Sequence, residues 1–440
     1  MKFHVETWGC QMNVLDGQRM AGLLAAQGLS PVDDPFDADV LLLNTCDVRE
    51  KAESKVYSEL GRFQDWKREK AGRVIGVTGC VAQHAGTKIL DRVPFVDFVL
   101  GTGNVERVPE AVAEAREGRR ASYLALDRDS PVYQFREIRR DSPFQAFVTV
   151  IEGCDQFCTF CVVPFTRGRE RCRRSAEIEV ECRELTERGF TEITLLGQTV
   201  NAYVCPETGL ALAGLLDRLC AIDGLCRIRF LTSHPAFVTS EFGDVLARQP
   251  RIARFFHLPV QSGSNRILSR MKRRYTRERY GEIVDDVRRR APDVVFSTDV
   301  IVGFPGETDA DFDQTLDLVE EVGFGSLFAF VYSARPGTAA ARWGAAEEVP
   351  SGVAKERLAR LLDVQRKFQG MGNRALEGRV LEVLVEGESK IGETLSGRTS
   401  CNRIVHFAAG PRPARAGDYV PVRIDRGLDN SLVGSRAGIA

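Results

Sequence analysis

Three cysteines share one short stretch of the 440-residue chain, Gly153-Cys154-Asp155-Gln156-Phe157-Cys158-Thr159-Phe160-Cys161. The C-x3-C-x2-C spacing puts three thiols on a single loop, directly after the strand-like run Phe147-Val148-Thr149-Val150-Ile151. Thiolates that close together can share a metal, and they favour zinc or iron–sulfur. A structural zinc site wants four ligands, and no further Cys or His stands nearby at matching spacing; Cys172 is the other candidate, inside an arginine run. A [4Fe–4S] cluster held by three cysteines leaves one iron open to a small ligand. Reduced core thiols are the bland alternative, but core cysteines do not usually crowd three to a loop.

A second set is spread out yet regular. Cys10, Cys46 and Cys80 lie 36 and 34 residues apart, about one strand–helix unit each. The elements that must position them run through residues 1–118. Phe3–Thr7, Val40–Asn44, Val74–Thr78 and Val96–Leu100 read as apolar strands, and helical patterns separate them, one charged helix starting from about Val48. Such alternation implies a doubly wound parallel sheet. Each cysteine follows a strand, and the carboxyl ends of parallel strands share the edge where open α/β sheets place their ligands. A core position is the better reading for any one of these thiols; for three in register, a second cluster site is.

Residues 119–143, rich in Arg and Asp, read as a linker. Residues 144–370 repeat strand and helix: Phe147–Ile151, Glu192–Leu196, Ile228–Thr232, Phe255–Val260, Val295–Val302 and Leu327–Tyr332 are strand candidates, and a helix follows Ser175, a plausible N-cap. Six sequential units imply an incomplete parallel barrel, (βα)6, with its chemistry at the carboxyl ends of the strands. Gly197-Gln198, Ser233-His234-Pro235, Gln261-Ser262-Gly263-Ser264 and Gly303-Phe304-Pro305-Gly306-Glu307 stand at those ends. A charged helix, Ser351 to Met371, leads to residues 373–440, whose short β-like runs broken by Gly and Pro predict a small β-barrel.

Composition sets the frame. Lys plus Arg is 60 against 61 Asp plus Glu, a net charge of −1, so only local clustering informs on nucleic acid. Two clusters stand out. Arg167, Arg169, Arg171, Arg173 and Arg174 follow the three-cysteine loop, and seven basic residues against one acidic lie between Arg266 and Arg279. The C-terminal barrel carries ten basic residues against eight acidic. No apolar run approaches the roughly 18 residues of a membrane helix, and no signal peptide is expected. Twelve cysteines then suggest a reducing cytoplasm and metal binding rather than disulfides.

The loop spacing, with Phe160 before its last cysteine, resembles the signature of radical S-adenosylmethionine (SAM) enzymes. Thr7-Trp8-Gly9-Cys10-Gln11-Met12-Asn13, Asn44-Thr45-Cys46-Asp47-Val48-Arg49-Glu50-Lys51-Ala52-Glu53, Gly79-Cys80-Val81-Ala82-Gln83 and the central word through Cys161-Val162-Val163-Pro164-Phe165-Thr166-Arg167-Gly168-Arg169-Glu170 resemble the motifs of the methylthiotransferase family. Within it they look closest to the branch acting on N6-dimethylallyladenosine of tRNA. The resemblance implies an N-terminal methylthiotransferase domain (1–118), a radical SAM domain (144–370) and a TRAM domain (373–440). It implies two [4Fe–4S] clusters: Cys154, Cys158 and Cys161 for the SAM-binding one, Cys10, Cys46 and Cys80 for a sulfur-carrying one. Two SAM molecules would be used, one to methylate the sulfur and one to yield the 5′-deoxyadenosyl radical that attacks the inert C2–H of adenine. Phe160, Gly197, Gln198, Ser233, Gln261, Gly303, Pro305 and Gly306 are then expected around SAM. Arg167, Arg169, Arg398, Asn402 and Arg403 are expected on RNA, at the anticodon stem-loop. A reductant such as flavodoxin or ferredoxin, a sulfur or cluster donor, and a monomeric cytoplasmic protein complete the expectation. The rival readings are a methylthiotransferase acting on a ribosomal protein or on threonylcarbamoyladenosine, and a non-catalytic iron–sulfur RNA-binding module.

Overall fold

The computed structural model describes residues 1–46, 52–126, 135, 137–389, 394–410 and 414–438. The expected start of the charged helix near Val48, with Asp47–Lys51 of the second cysteine word, lies outside these; its described part is helix Ala52–Arg62.

Strands β1 (Lys2–Trp8), β2 (Ser30–Pro31), β3 (Val40–Thr45), β4 (Val74–Gly79), β5 (Phe98–Leu100) and β6 (Ala121–Tyr123) form one sheet. Its order is β2-β1-β3-β4-β5-β6 and every pair is parallel. β3 and β4 are buried along their whole length because each of their faces meets helices. Val40 and Leu42 pack with Leu24 and Val112 on one side, while Leu41 and Leu43 pack with Leu60 and Trp66 on the other. The edge strands β2 and β6 escape a sequence reading, since two or three residues carry no alternation. Strand order reverses between β1 and β3, the crevice where such sheets bind ligands. Register then does the alignment: Trp8 pairs with Thr45, and Thr45 with Gly79. Cys10, Cys46 and Cys80 follow that row and so share one sheet edge.

The central unit holds β7 (Gln145–Thr149), β8 (Ile151–Glu152), β9 (Arg171–Cys172), β10 (Glu192–Leu196), β11 (Arg227–Phe230), β12 (Phe255–His257), β13 (Val295–Val302) and β14 (Ser326–Val331). Two parallel sheets, β7-β10-β11 and β12-β13-β14, are stitched by Ile228 N–H to Arg251 O and Ala253 N–H to Ile228 O, both 2.8 Å. One apolar cluster spans the two sheets, from Ala146 to Leu361. This is the six-stranded partial barrel expected, with helices outside. Ser175 is not its helix's N-cap: Arg174 holds that position without a side-chain cap, and the Ser175 N–H donates to Cys205 Sγ. The antiparallel pair β8–β9, which sequence reading does not reveal, clamps both ends of the three-cysteine loop.

Helix Ser351–Arg374 leads to a closed barrel of β15 (Val380–Glu388), β16 (Leu395–Thr399), β17 (Ile404–Phe407), β18 (Tyr419–Gly427) and β19 (Leu432–Arg436), ordered β15-β16-β17-β19-β18. It is docked against the amino ends of the central strands. Arg227 donates to Arg398 O (3.2 Å) and Glu382 (2.8 Å), and Arg229 to Thr399 O (2.9 Å) and Ser400 O (3.1 Å).

The Glu181 side chain is wholly excluded from water and takes Arg140 at 2.9 Å and Arg173 at 2.7 Å. Removing a buried acid strands its cations, which costs about 3–5 kcal/mol, whereas an exposed pair contributes about 0–1 kcal/mol. Glu181→Leu should therefore lower the denaturant midpoint far more than Asp363→Ala, which breaks the exposed pair with Arg366.

Candidate active site

The central loop is built to hold thiols in fixed places. Cys154 N–H donates to Gly168 O (3.2 Å) and Cys161 N–H to Cys158 O (3.0 Å). Thr159 bolts the loop to the segment beyond it, through Oγ1 to Arg270 O (2.8 Å) and N–H to Met271 O (3.1 Å). Cys154 Sγ lies 3.4 Å from Thr199 Oγ1, and Arg273 donates to Cys158 Sγ at 3.5 Å. Burial pushes the Cys154 thiol up and the Cys161 thiol up to about 12. A bare thiolate is costly at such sites, and a bound metal would supply the compensating charge. Among the described residues no three His, Cys, Asp or Glu side chains gather around one point as ligands of a single ion do. A cluster takes each thiolate on a different iron, so its ligands ring the group instead of converging.

The distant cysteines meet at the N-terminal sheet edge around Asn13. Asn13 Oδ1 accepts from Cys10 Sγ at 3.3 Å and from Cys80 Sγ at 3.9 Å, while its Nδ2 donates to Thr45 O, beside Cys46, at 2.9 Å. A hydrogen bond from the Cys46 thiol lowers the Cys10 thiol to about 6, against the opposing effect of burial, with the Arg167 charge helping. Burial raises the Cys80 thiol, and Arg167 opposes it. Arg167 arrives from the central loop to do this: it donates to Asp16 at 2.8 Å and to Asn13 at 3.4 Å. The two three-cysteine sites are thus neighbours across a domain boundary. Helix Cys80–Ala85 packs on Val163–Thr166, and Met12 and Leu15 pack with Leu196 at the barrel mouth.

The residues expected around SAM fall into two groups. Gln198 and Ser233 each carry a buried oxygen with no partner, as does Thr149, all three at the carboxyl ends of barrel strands. Orphaned acceptors at that edge fit a polar ligand. Gln261, in the left-handed region at φ +74°, extends β12 through a bridge to Val300. The others shape the wall. A Cβ on Gly197 would stand 2.1 Å from Ile151 Cγ2, so that glycine serves close packing. Gly303 and Gly306 (φ +68° and +78°) form a turn closed by Gly303 N–H to Glu307 Oε2 (2.7 Å), and Pro305 O accepts from Arg270 (3.2 Å). Phe160 meets Phe304 edge-on at 6.4 Å. His234 accepts from Ala236 N–H at 3.1 Å, and His257 bonds Ser297 Oγ at 2.7 Å.

The arginines expected on RNA are placed differently. Arg167 has a side chain 7% exposed and paired to Asp16, so its guanidinium is already engaged inside the protein. Arg169 is half-exposed and grips Asp155 with two bonds, 2.6 and 3.0 Å. Arg398 pairs with Glu386 at 2.9 Å, and Arg403 donates to Asn373 Oδ1. Asn402 (φ +65°) makes the turn between β16 and β17. Sequence reading missed Thr199 and Arg273 beside the loop cysteines, and Asn13 and Asp16 beside the others. The legible signal was polar Asn13 and Asp16 on the otherwise core-facing start of helix Gln11–Ala26.

Comparison with known proteins places all three parts. Residues 2–101 match the uncharacterized protein family UPF0004, 148–319 the radical SAM superfamily and 374–435 the TRAM domain. The fold is similar to a radical S-adenosylmethionine methyltransferase of Kitasatospora setae, solved with cobalamin and a [4Fe-4S] cluster; the TM-score is 0.56 at 15% identity, over 77% of this chain and 76% of that one. Two curated relatives are named tRNA-2-methylthio-N(6)-dimethylallyladenosine synthase. That of Geobacter metallireducens is 47% identical, over 99% of this chain and 98% of its own; that of Moorella thermoacetica is 45% identical, over 96% of each. Matched end to end at this identity, with two three-cysteine sites brought side by side, the chain belongs to the tRNA-2-methylthio-N(6)-dimethylallyladenosine synthase family.

Proposed function

We propose that the paired cysteine sites are the two working centres of radical methylthiolation at C2 of N6-dimethylallyladenosine, at position 37 of tRNA next to the anticodon. The observation that carries this reading is the buried Arg167 bridge, which joins the loop of Cys154, Cys158 and Cys161 to the Cys10, Cys46 and Cys80 site. Cys154, Cys158 and Cys161 would hold one [4Fe–4S] cluster, and Cys10, Cys46 and Cys80 the other. When bound, the clusters and SAM supply the radical, the sulfur and the methyl group that a C–H bond neither acidic nor nucleophilic demands.

This chain's residues do the rest. Thr199 and Arg273 orient ligand sulfurs by hydrogen bonding, a contribution that tunes a cluster's potential. Arg167 and the Cys46 thiol keep Cys10 inclined to the thiolate, the form that ligates metal. Gln198 and Ser233 offer free acceptors to SAM at the barrel mouth. The TRAM barrel supports tRNA as the partner, with Asn402 at its turn and Arg169, Arg398 and Arg403 available where their internal partners are exchanged. The reading extends to a flavodoxin- or ferredoxin-type reductant, a sulfur or cluster donor, and a cytoplasmic monomer. Among the described residues, no helix is long and apolar enough to cross a membrane.

Cys158→Ala should leave one cluster and abolish reductive formation of 5′-deoxyadenosine, whereas Cys46→Ala should keep that reaction and lose the methylthio product. Anaerobic assays of both, read by iron content and nucleoside mass spectrometry, separate this reading from a non-catalytic iron–sulfur module, which would cleave no SAM at all.

A second test addresses the N-terminal thiols directly. In protein prepared without iron, Cys10 should alkylate with a pH midpoint near its lowered value of about 6. Cys46→Ala removes the main cause and should move the midpoint up; Arg167→Gln should move it up by less. A midpoint in the ordinary thiol range for the unaltered protein would show that the thiols are not coupled.

A further inference from the structure

The basic stretch from Arg266 to Arg279 looks at first like a solvated surface, but its charges are unequal. Arg266 pairs with Asp311, Arg270 with Glu347, Arg277 with Glu321 and Arg279 with Glu282. Arg273 is spent on Cys158 Sγ and Pro259 O. Among the described residues, the side chains of Lys272 and Arg274 have no such partner, and both are exposed.

These two cations line a cavity of about 510 Å³ together with Gln156, Asn265, Ser269 and Thr276, and no carboxylate lies among its lining residues. Gln156 belongs to the cluster loop, is 8% exposed, and its Oε1 is buried without a hydrogen-bond partner. An amide oxygen buried without a partner beside an open cavity fits a ligand that donates to it. Lys272 stands in the left-handed region at φ +55° because it ends helix Asn265–Arg270, its N–H on Ser269 O (3.0 Å) and Arg273 N–H on Leu268 O (2.9 Å), and this turn fixes Lys272 and Arg274 relative to that helix. The wall cannot drift from the cluster loop, because Thr159 bonds Arg270 O and Met271 O and Arg273 bonds Cys158. Helix Arg277–Arg290 begins there, capped by Thr276, and adds the positive end of its dipole.

We propose that this cavity is a nucleotide subsite for the tRNA strand beside the modified adenosine, with Lys272 and Arg274 on phosphodiester oxygens and Gln156 Oε1 accepting from a ribose hydroxyl or a base N–H. SAM does not suit it: that molecule carries net positive charge, and the cavity presents three cations counting the half-buried Arg273. The proposal rests on the tRNA reading above and locates where the strand is held relative to the cluster.

The test is binding of an RNA anticodon stem-loop carrying N6-dimethylallyladenosine to the full-length, cluster-loaded protein across a series of salt concentrations. Two lost phosphate contacts should make the log–log salt slope shallower by about 2 in Lys272→Gln/Arg274→Gln. Gln156→Leu should weaken binding about tenfold with the slope unchanged, as loss of a neutral contact does. Arg279→Gln, in the same stretch but paired with Glu282, should leave the slope as it is. Iron content and the visible spectrum, matched to the unaltered protein, report that each variant is folded. An unchanged slope in the double variant, or an equal change in Arg279→Gln, overturns the subsite while leaving the tRNA reading standing. If the unaltered protein does not bind the stem-loop, the tRNA reading itself falls.

Discussion

Arg167 leaves the central cluster loop, crosses the domain boundary and ends in an ion pair with Asp16, where both side chains are nearly excluded from water. Desolvating two charges is expensive, and the pair persists because the geometry is close and Asn13 takes a further guanidinium bond. Breaking such a pair costs more than making it gains, so the two domains are locked in one relative placement. That placement is what the chemistry requires. In the proposed reading, a sulfur held at one cysteine site and a radical generated at the other must both reach one substrate atom.

Parallel strands supply the rest of the alignment. In the N-terminal sheet the register row Trp8–Thr45–Gly79 brings cysteines far apart in sequence to one edge, and Asn13 ties two of them by their sulfurs. In the barrel the carboxyl ends of the strands present unsatisfied oxygens of Thr149, Gln198 and Ser233. The two edges face each other, with Leu15 against Leu196 at their seam. Both functional ends are therefore of the same kind, and the site lies between them.

The C-terminal barrel is attached at the opposite end of the strands. Buried Arg227 and Arg229 spend their donors on its β16 backbone and on the turn that follows. Removing the barrel would leave those guanidiniums beside Glu192 without their outer partners, so the barrel contributes to the central unit's stability. Of the arginines in the Gly397–Arg403 turn, Arg398 pairs with Glu386 within the barrel and Arg403 donates to Asn373 on the preceding helix.

Much was legible from local pattern alone. Glu192–Leu196 and Val295–Val302 are strands over those very residues, because uninterrupted apolar runs between helical segments leave few alternatives. The even spacing of Cys10, Cys46 and Cys80 foretold a shared edge, since a strand–helix repeat returns the chain to the same side of a sheet. What no pattern could show was which charges would be buried. Arg167 and Arg169 stand two apart in one basic run, yet one is sealed against Asp16 and the other lies half in water. Lys272 and Arg274 are left free where Arg270 and Arg277 are paired, and Gln156 keeps its oxygen unsatisfied. Sequence determines where helices, strands and thiols fall because those follow nearest-neighbour sterics and apolar period. The pairing of a charge depends on which distant carboxylate the packed domains bring within 3 or 4 Å, and only the tertiary structure decides that.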